Sequence, residues 1–283
     1  MNLIGNTPLV RLGEKLYAKL ETYNPSGSIK DRMAYFILKR AQERGELEGK
    51  NTIVVASSGN TGISFAMLAA MEKYSCIIVM PRNMSKERKE MIRAYGARIV
   101  EVGDNDFEEA IRRRDEMVAN FDSYWTPKQF SNLDNIKCHQ TTTAKEIGYE
   151  VLKTAKQRLS ALVAGAGTGG TIMGCQKHLK SLWSDMQTVL VMPSENAQEH
   201  GIQGINDGAD FLVDRDKIDD EISITTDEAK KRARRLATED GLLVGISSGA
   251  NVLAAEKWIK ANNPSGVVVT FLCDRGERYF SCC

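Results

Sequence analysis

The sequence is poor in histidine, in paired cysteines, in net charge and in long apolar runs, and each shortage removes a class of function. Three histidines, His139, His178 and His200, are too few and too scattered for a His-based triad or a zinc enzyme. The six cysteines (Cys76, Cys138, Cys175, Cys273 and the adjacent Cys282 and Cys283) include no Cys-x-x-Cys pair. That speaks against metal ligation, and several of them lie in core-like segments, which suits a reducing cytoplasm. A net charge of +1 gives no reason to expect nucleic acid or an anionic membrane as partner. No apolar run approaches the ~18 residues of a membrane span. The opening Met1-Asn2-Leu3-Ile4-Gly5 has neither the basic nor the long apolar region of a signal peptide. No fixed-period repeat and no low-complexity tract interrupts the chain.

What is present is a globular composition of 283 residues, 42% hydrophobic, long enough for one large or two moderate domains. The pattern runs strand, turn, helix, over and over. Strands are expected at 16–20, 53–56, 76–80, 98–102, 161–164, 188–192 and 267–272. Helices are expected at 31–44, 63–73, 85–95, 106–121, 141–157, after 171, from Thr225 to Gly241, and from Gly249 to Ala261. Thr225-x-x-Glu228 is a capping box, and Gly241 and Gly96 are helix stops. The stretch 122–138 reads as a loop or hinge. Alternating strands and helices predict an α/β protein with mostly parallel, twisted sheets covered on both faces. Two domains are expected, 1–135 and 136–283.

The stretch Asn24-Pro25-Ser26-Gly27-Ser28-Ile29-Lys30-Asp31-Arg32 places one amine, Lys30, at a loop-to-helix junction. There the positive end of the helix disfavours a second positive charge, and burial would lower the amine pKa further, as in Schiff-base lysines. Taken alone, the plainer account is a solvated lysine. Strand, glycine-rich loop and helix also recur at 57–62, 165–171 and 247–249, a recipe for anion binding through unpaired N–H groups. Gly167-Thr168-Gly169-Gly170-Thr171 suits a phosphate; Ser58, Asn60 and Thr61 place polar donors at the end of a strand. Gly165, Gly167 and Gly170 also match the dinucleotide pattern, with Glu195 near the place of a ribose-binding acid. A nicotinamide-dependent oxidoreductase is therefore a competing class, although it leaves Lys30 and the 57–62 loop without a task.

Assembled, these segments resemble the cysteine synthases of the pyridoxal-phosphate β-family, fold type II. The likeness is carried by Gly5-Asn6-Thr7-Pro8-Leu9-Val10, the Lys30 stretch, Ser58-Gly59-Asn60-Thr61-Gly62, Met84-Ser85-x-Glu87-Arg88, Gln129-Phe130-x-Asn132, the 167–171 loop and Gly245-Ile246-Ser247-Ser248-Gly249. Cys273-Asp274-Arg275-Gly276-Glu277-Arg278-Tyr279 resembles the family's B-type members, whereas Gly201-Ile202-Gln203-Gly204-Ile205 and the phosphate loop look A-type. The resemblance implies a tryptophan-synthase-β-like fold with pyridoxal 5'-phosphate in the cleft between two domains. In that picture Lys30 holds the cofactor aldehyde and moves the substrate's Cα proton. Asn60 bonds the ring 3'-oxygen; Gly167, Thr168, Gly169, Gly170 and Thr171 cradle the phosphate; Ser247 also binds the cofactor. Ser58, Gly59, Asn60 and Thr61, with Gln129, bind the substrate carboxylate. The implied reaction is β-replacement making L-cysteine from O-acetyl-L-serine and sulfide through an α-aminoacrylate. Within the family the alternatives are an O-phosphoserine sulfhydrylase, a cystathionine β-synthase-type enzyme and a synthase using an amine nucleophile; a non-catalytic binding protein on the same fold is another. The resemblance also implies a homodimer and allows for a serine acetyltransferase partner.

Overall fold

The computed structural model describes residues 3–57, 59–196, 199–205 and 211–282. In chain order the elements are β1 (Leu9–Arg11), β2 (Leu16–Leu20), α1 (Lys30–Glu43), β3 (Thr52–Ala56), α2 (Asn60–Glu72), β4 (Ser75–Pro81), α3 (Lys86–Ala94), β5 (Arg98–Val102) and α4 (Phe107–Asn120). They continue with β6 (Tyr124–Trp125), α5 (Asp134–Thr141), α6 (Thr143–Glu150), β7 (Leu159–Gly165), α7 (Gly170–Leu182), β8 (Gln187–Pro193), β9 (Asp220–Ile224), α8 (Thr226–Asp240), α9 (Ile246–Asn262) and β10 (Val267–Leu272). A 3-10 turn, Gly276–Cys282, follows β10.

Two sheets form. The smaller is four-stranded in the order β5-β4-β3-β6 and parallel throughout. The larger is six-stranded in the order β1-β2-β10-β7-β8-β9, with only the β1–β2 pair antiparallel. Period-two alternation sends successive side chains to opposite faces, so a strand covered on both faces must be apolar at every position. In β7 and β8, Ala161, Val163, Val189 and Val191 pack under α8 and α9, while Leu162, Ala164 and Leu190 face α6 and α7. In the smaller sheet, Ile53, Val55 and Ile78 meet α1 and α2, and Val54, Ile77 and Val79 meet α4. The expected α/β class with mostly parallel, doubly covered sheets is what the chain adopts.

Strand pairing cuts across the expected boundary at 135/136, because β1 and β2 join the larger sheet beside β10. Three local expectations are corrected. The stretch 122–138 is not a plain loop: β6 pairs with β3 and α5 begins at Asp134. The expected helix 141–157 is broken at Thr142, whose backbone leaves the helical region while its hydroxyl donates to the Cys138 carbonyl at 2.7 Å. Ser247–Gly249 is not a loop but the first turn of α9, and a Cβ at Gly249 would overlap the Ala229 carbonyl of α8. The glycine there is a packing requirement between helices, not a turn. The capping box of α8 and its left-handed stop at Gly241 (φ 68°) form as expected.

One buried ionic cluster ties β2, α1 and α6 together. Arg32 donates to Glu21 through Nε (2.7 Å) and Nη2 (2.8 Å), and to both Glu146 oxygens at 2.7 Å. Lys19, fully buried, reaches Glu146 at 3.0 Å and also pairs with Glu150.

Candidate active site

Lys30 is the first residue of α1, at the end of a loop held from the far end of the chain: the Ile29 N–H donates to the Cys273 carbonyl at 2.9 Å, and Ser28 bridges to Asp274. The Ser28 hydroxyl accepts from the Lys30 N–H at 3.3 Å. Ser26 takes a different task from helix capping, since its N–H (2.7 Å) and hydroxyl both donate to Asp31. Burial pushes the Asp31 carboxyl above its usual range, against the hydrogen bonds from Ser26 and Ser64 and the charge of Arg278.

A cleft opens at the C-terminal ends of β3, β7 and β10. It brings together Lys30, Asn60, Gly167, Thr168, Gly169, Thr171 and Ser247 from four distant stretches of sequence. Gly170 lies behind the loop, where a Cβ would overlap the Asn135 side-chain oxygen. Gly59 and Thr61 are buried at the start of α2 and do not border this cleft. Ser57 organises the turn: its hydroxyl accepts the N–H groups of Gly59 and Gly62, both at 3.0 Å. Ser58 lies outside the described residues. Gln129 is buried beneath the same turn, donating to the Ala56 carbonyl at 2.9 Å.

The loop 165–171 is held from behind. Asn135 donates to the Thr168 hydroxyl at 2.9 Å, and Asn251 accepts the Gly165 N–H at 2.8 Å while donating to the Phe271 carbonyl at 3.1 Å. His139 links Thr143 (2.9 Å) to Thr171 (3.3 Å); burial, helped by the charges of Arg32 and Lys30, holds its imidazole well below the usual range, so it is neutral. Among the described residues no protein acceptor takes the N–H of Gly167, Thr168 or Gly169, and the first N–H groups of α7 have no intrahelical partner. Gly169 adopts φ 88°, and a Cβ at Gly167 would sit 2.6 Å from the Gly204 carbonyl. Such a cradle of backbone donors at a helix N-terminus fits a phosphate. Gly167→Ala is expected to weaken cofactor binding at least about tenfold, through overpacking of the loop; an absorbance titration with pyridoxal phosphate checks it.

Glu195 is not placed for a ribose: its carboxylate accepts the Thr226 N–H at 2.7 Å, at the start of α8. That removes the acid on which the dinucleotide alternative depended.

Residues that sequence reading did not single out complete the site. Asn60 donates to Asp274 at 2.7 Å and accepts from Arg278. Asp274 also accepts from the Tyr279 hydroxyl at 2.6 Å, and Arg88 of α3 donates to Tyr279 at 2.6 Å and to Gln203. The Cys273 thiol borders the cleft, its pKa pushed up to about 12 by burial and by Asp274. Their only advance signal was membership of the 84–88, 201–205 and 273–279 motifs. Among the described residues, no group of three or more His, Cys, Asp or Glu is placed to hold a metal, and no helix is long and apolar enough to cross a membrane.

A lysine, an amide and a loop rich in backbone donors line one cleft, a set of groups that fits pyridoxal phosphate. The family model described as pyridoxal-phosphate dependent enzyme matches residues 1–274. A probable cysteine synthase of Bacillus subtilis (strain 168) is 40% identical over 296 residues, covering 99% of this chain and 95% of that protein. Among solved structures, a hydrogen sulfide-producing enzyme of Fusobacterium nucleatum has a TM-score of 0.92 at 38% identity, covering 99% of this chain and 89% of that one. An O-acetylserine-dependent cystathionine β-synthase of Helicobacter pylori has a TM-score of 0.90 at 31% identity, covering 100% of this chain and 96% of that one. The chain belongs to the pyridoxal-phosphate-dependent enzyme family, fold type II, in its cysteine synthase branch. It is a pyridoxal-phosphate enzyme of β-replacement.

Proposed function

We propose that this protein makes L-cysteine from O-acetyl-L-serine and sulfide. The observation that carries the reading is the convergence of Lys30, Asn60, the 167–171 loop and Ser247 on one cleft. Lys30 would hold the cofactor through Nζ, the backbone N–H groups of Gly167 to Thr171 would hold its phosphate, and Asn60 and Ser247 would face its ring. When bound, the cofactor supplies an electron sink that lets the substrate's Cα–H bond ionise. Lys30 Nζ takes that proton and later returns it at the same carbon. The stretch Ser58, Gly59, Asn60 and Thr61 would bind the substrate carboxylate; inside that turn the Ser57 hydroxyl holds the N–H groups of Gly59 and Gly62, and Gln129 supports the turn from below. Exclusion of water falls to the segment 57–121: its helix α3 reaches the C-terminal turn through Arg88 to Tyr279 and through Glu87 to the Ser281 N–H (2.9 Å) and hydroxyl (2.7 Å). The exposed apolar side chains of Tyr149, Leu152 and Leu182 support a second copy as partner, and the free cysteines Cys76, Cys138, Cys175 and Cys273 support the reducing cytoplasm as compartment.

The test is an absorbance spectrum of the protein loaded with pyridoxal phosphate, recorded with O-acetylserine, O-phosphoserine or serine. Product analysis follows, with sulfide or homocysteine. A spectral response to O-acetylserine, and cysteine formed only with sulfide, is the expected result. A response confined to O-phosphoserine, or cystathionine as the main product, would replace the donor or the nucleophile named here.

A further inference from the structure

Asn60 is engaged on both sides of its amide. Its Oδ1 accepts from Arg278 Nη1, and its Nδ2 donates to Asp274 Oδ2 at 2.7 Å. A guanidinium has no acceptor and a carboxylate has no donor, so the two neighbours accept only one orientation of the amide. Turned over, the amide would set N–H against N–H at Arg278 and oxygen against oxygen at Asp274. Both neighbours are themselves fixed. Arg278 is 2% exposed and donates through Nη2 to the Ser26 carbonyl, and Asp274 is fully buried and holds the Tyr279 hydroxyl at 2.6 Å. An amide nitrogen carries two N–H groups and one is spent on Asp274, which leaves a second one on a residue that lines the cleft together with Lys30.

We propose that Arg278 and Asp274 are positioning residues that lock the Asn60 amide, so that its second N–H is a fixed donor to an anionic oxygen bound in the cleft. The inference rests on the cofactor reading above, in which that oxygen belongs to the cofactor ring. With the donor fixed, the ring oxygen is held as its anion and one colour-bearing form dominates. With the amide free to turn, its carbonyl faces the same oxygen part of the time, and the balance moves.

The experiment compares the unaltered protein, Arg278→Met, Arg278→Lys, Asn60→Ala and the Asn60→Ala/Arg278→Met double variant, each loaded with pyridoxal phosphate. Arg278→Met should bind the cofactor about tenfold more weakly, the size of a lost hydrogen bond to a charged group. It should also shift absorbance from the visible to the near-ultraviolet band, with unchanged circular dichroism. Arg278→Lys, which keeps a donor, should recover most of the visible band. In the Asn60→Ala background the Arg278→Met change should move the band no further, because the amide it acts through is gone. A purely structural Arg278 would weaken binding without moving the band, or would act equally in both backgrounds; either result overturns the lock. Should Arg278→Met fail to fold, side-chain resonances of asparagine in the unaltered, 15N-labelled protein decide. Only one of the two Asn60 N–H protons should shift on adding pyridoxal phosphate, and equal shifts of both would overturn the proposal. If the unaltered protein shows no visible band at all, the cofactor reading fails and the lock with it; a normal band that ignores Arg278 sinks the lock alone.

Discussion

Lys30→Ala is expected to lower the rate of cysteine formation by at least about 10³-fold, since one side chain loses both its hold on the cofactor and its proton transfer. The fold should survive. Lys30 is half-buried at the first position of α1, and the helix is anchored by Met33, Ile37, Leu38 and Ala41, all inside the core. The loop before it hangs on backbone bonds to Cys273 and Asp274 that the substitution does not touch. Initial rates with O-acetylserine and sulfide, beside circular dichroism and melting curves, check both halves of the expectation. Turnover within tenfold of the unaltered protein would remove Lys30 from the chemistry.

The largest expected loss of stability comes from Arg32→Met. Arg32 neutralises Glu21, which is fully buried, and shares Glu146 with Lys19. Removing one partner of a buried pair leaves the other charge without compensation, and such losses run to about 3–5 kcal/mol. Arg32→Met combined with Glu21→Gln should cost less than Arg32→Met alone, because the stranded charge is then gone as well. Urea unfolding of the three variants measures this, and a double variant weaker than the single one would contradict it. The same cluster sets an acid limit. Burial pushes the Glu146 carboxyl up, but hydrogen bonds from Arg32 and the charges of Arg32 and Lys19 prevail and hold it at about 2. A free glutamate titrates near about 4.3. The folded value is the lower one, so the contribution is complete above the free value and is lost as pH falls through about 2. In Arg32→Met the acid limb of a melting-temperature profile should move upward toward the free value.

The segments with strong local rules were legible in the sequence. Val267–Leu272 is six consecutive buried residues bounded by Gly266 and Cys273, and its limits were read to the residue. The ends of α8 followed from Thr225, Glu228 and Gly241, where side-chain and backbone chemistry fix the boundary locally. What escaped was decided by distant partners. The β6 strand is two residues long and exists only because Thr52 and Ile53 lie beside it. The β9 strand, Asp220–Ile224, is an edge strand with exposed acids, so it shows no apolar run. Ser247–Gly249 has the composition of a turn, yet its small residues serve the close approach of α8 and α9. In the site, Lys30, Asn60 and the phosphate loop each sit in a recognisable local motif. The partners of Asn60 lie 214 and 218 residues away, at Asp274 and Arg278, and no spacing rule reaches that far.

In the larger sheet β2 lies between β1 and β10, and β10 is its only link to the rest of the sheet. During synthesis, then, Leu16–Leu20 leaves the ribosome about 250 residues before the strand it needs, while every strand of the smaller sheet is already available once Trp125 has emerged. The smaller sheet can close early, on local contacts, and the larger one must wait with an apolar edge uncovered. The Lys30 loop waits with it, because its backbone partners are Cys273 and Asp274. A nascent chain released between Asn251 and β10 would thus carry a nearly complete set of cleft residues and no cleft, and its sticky edge would make it a client for chaperones or proteases. Competence for chemistry arrives only once β10 and the turn that follows it have been made.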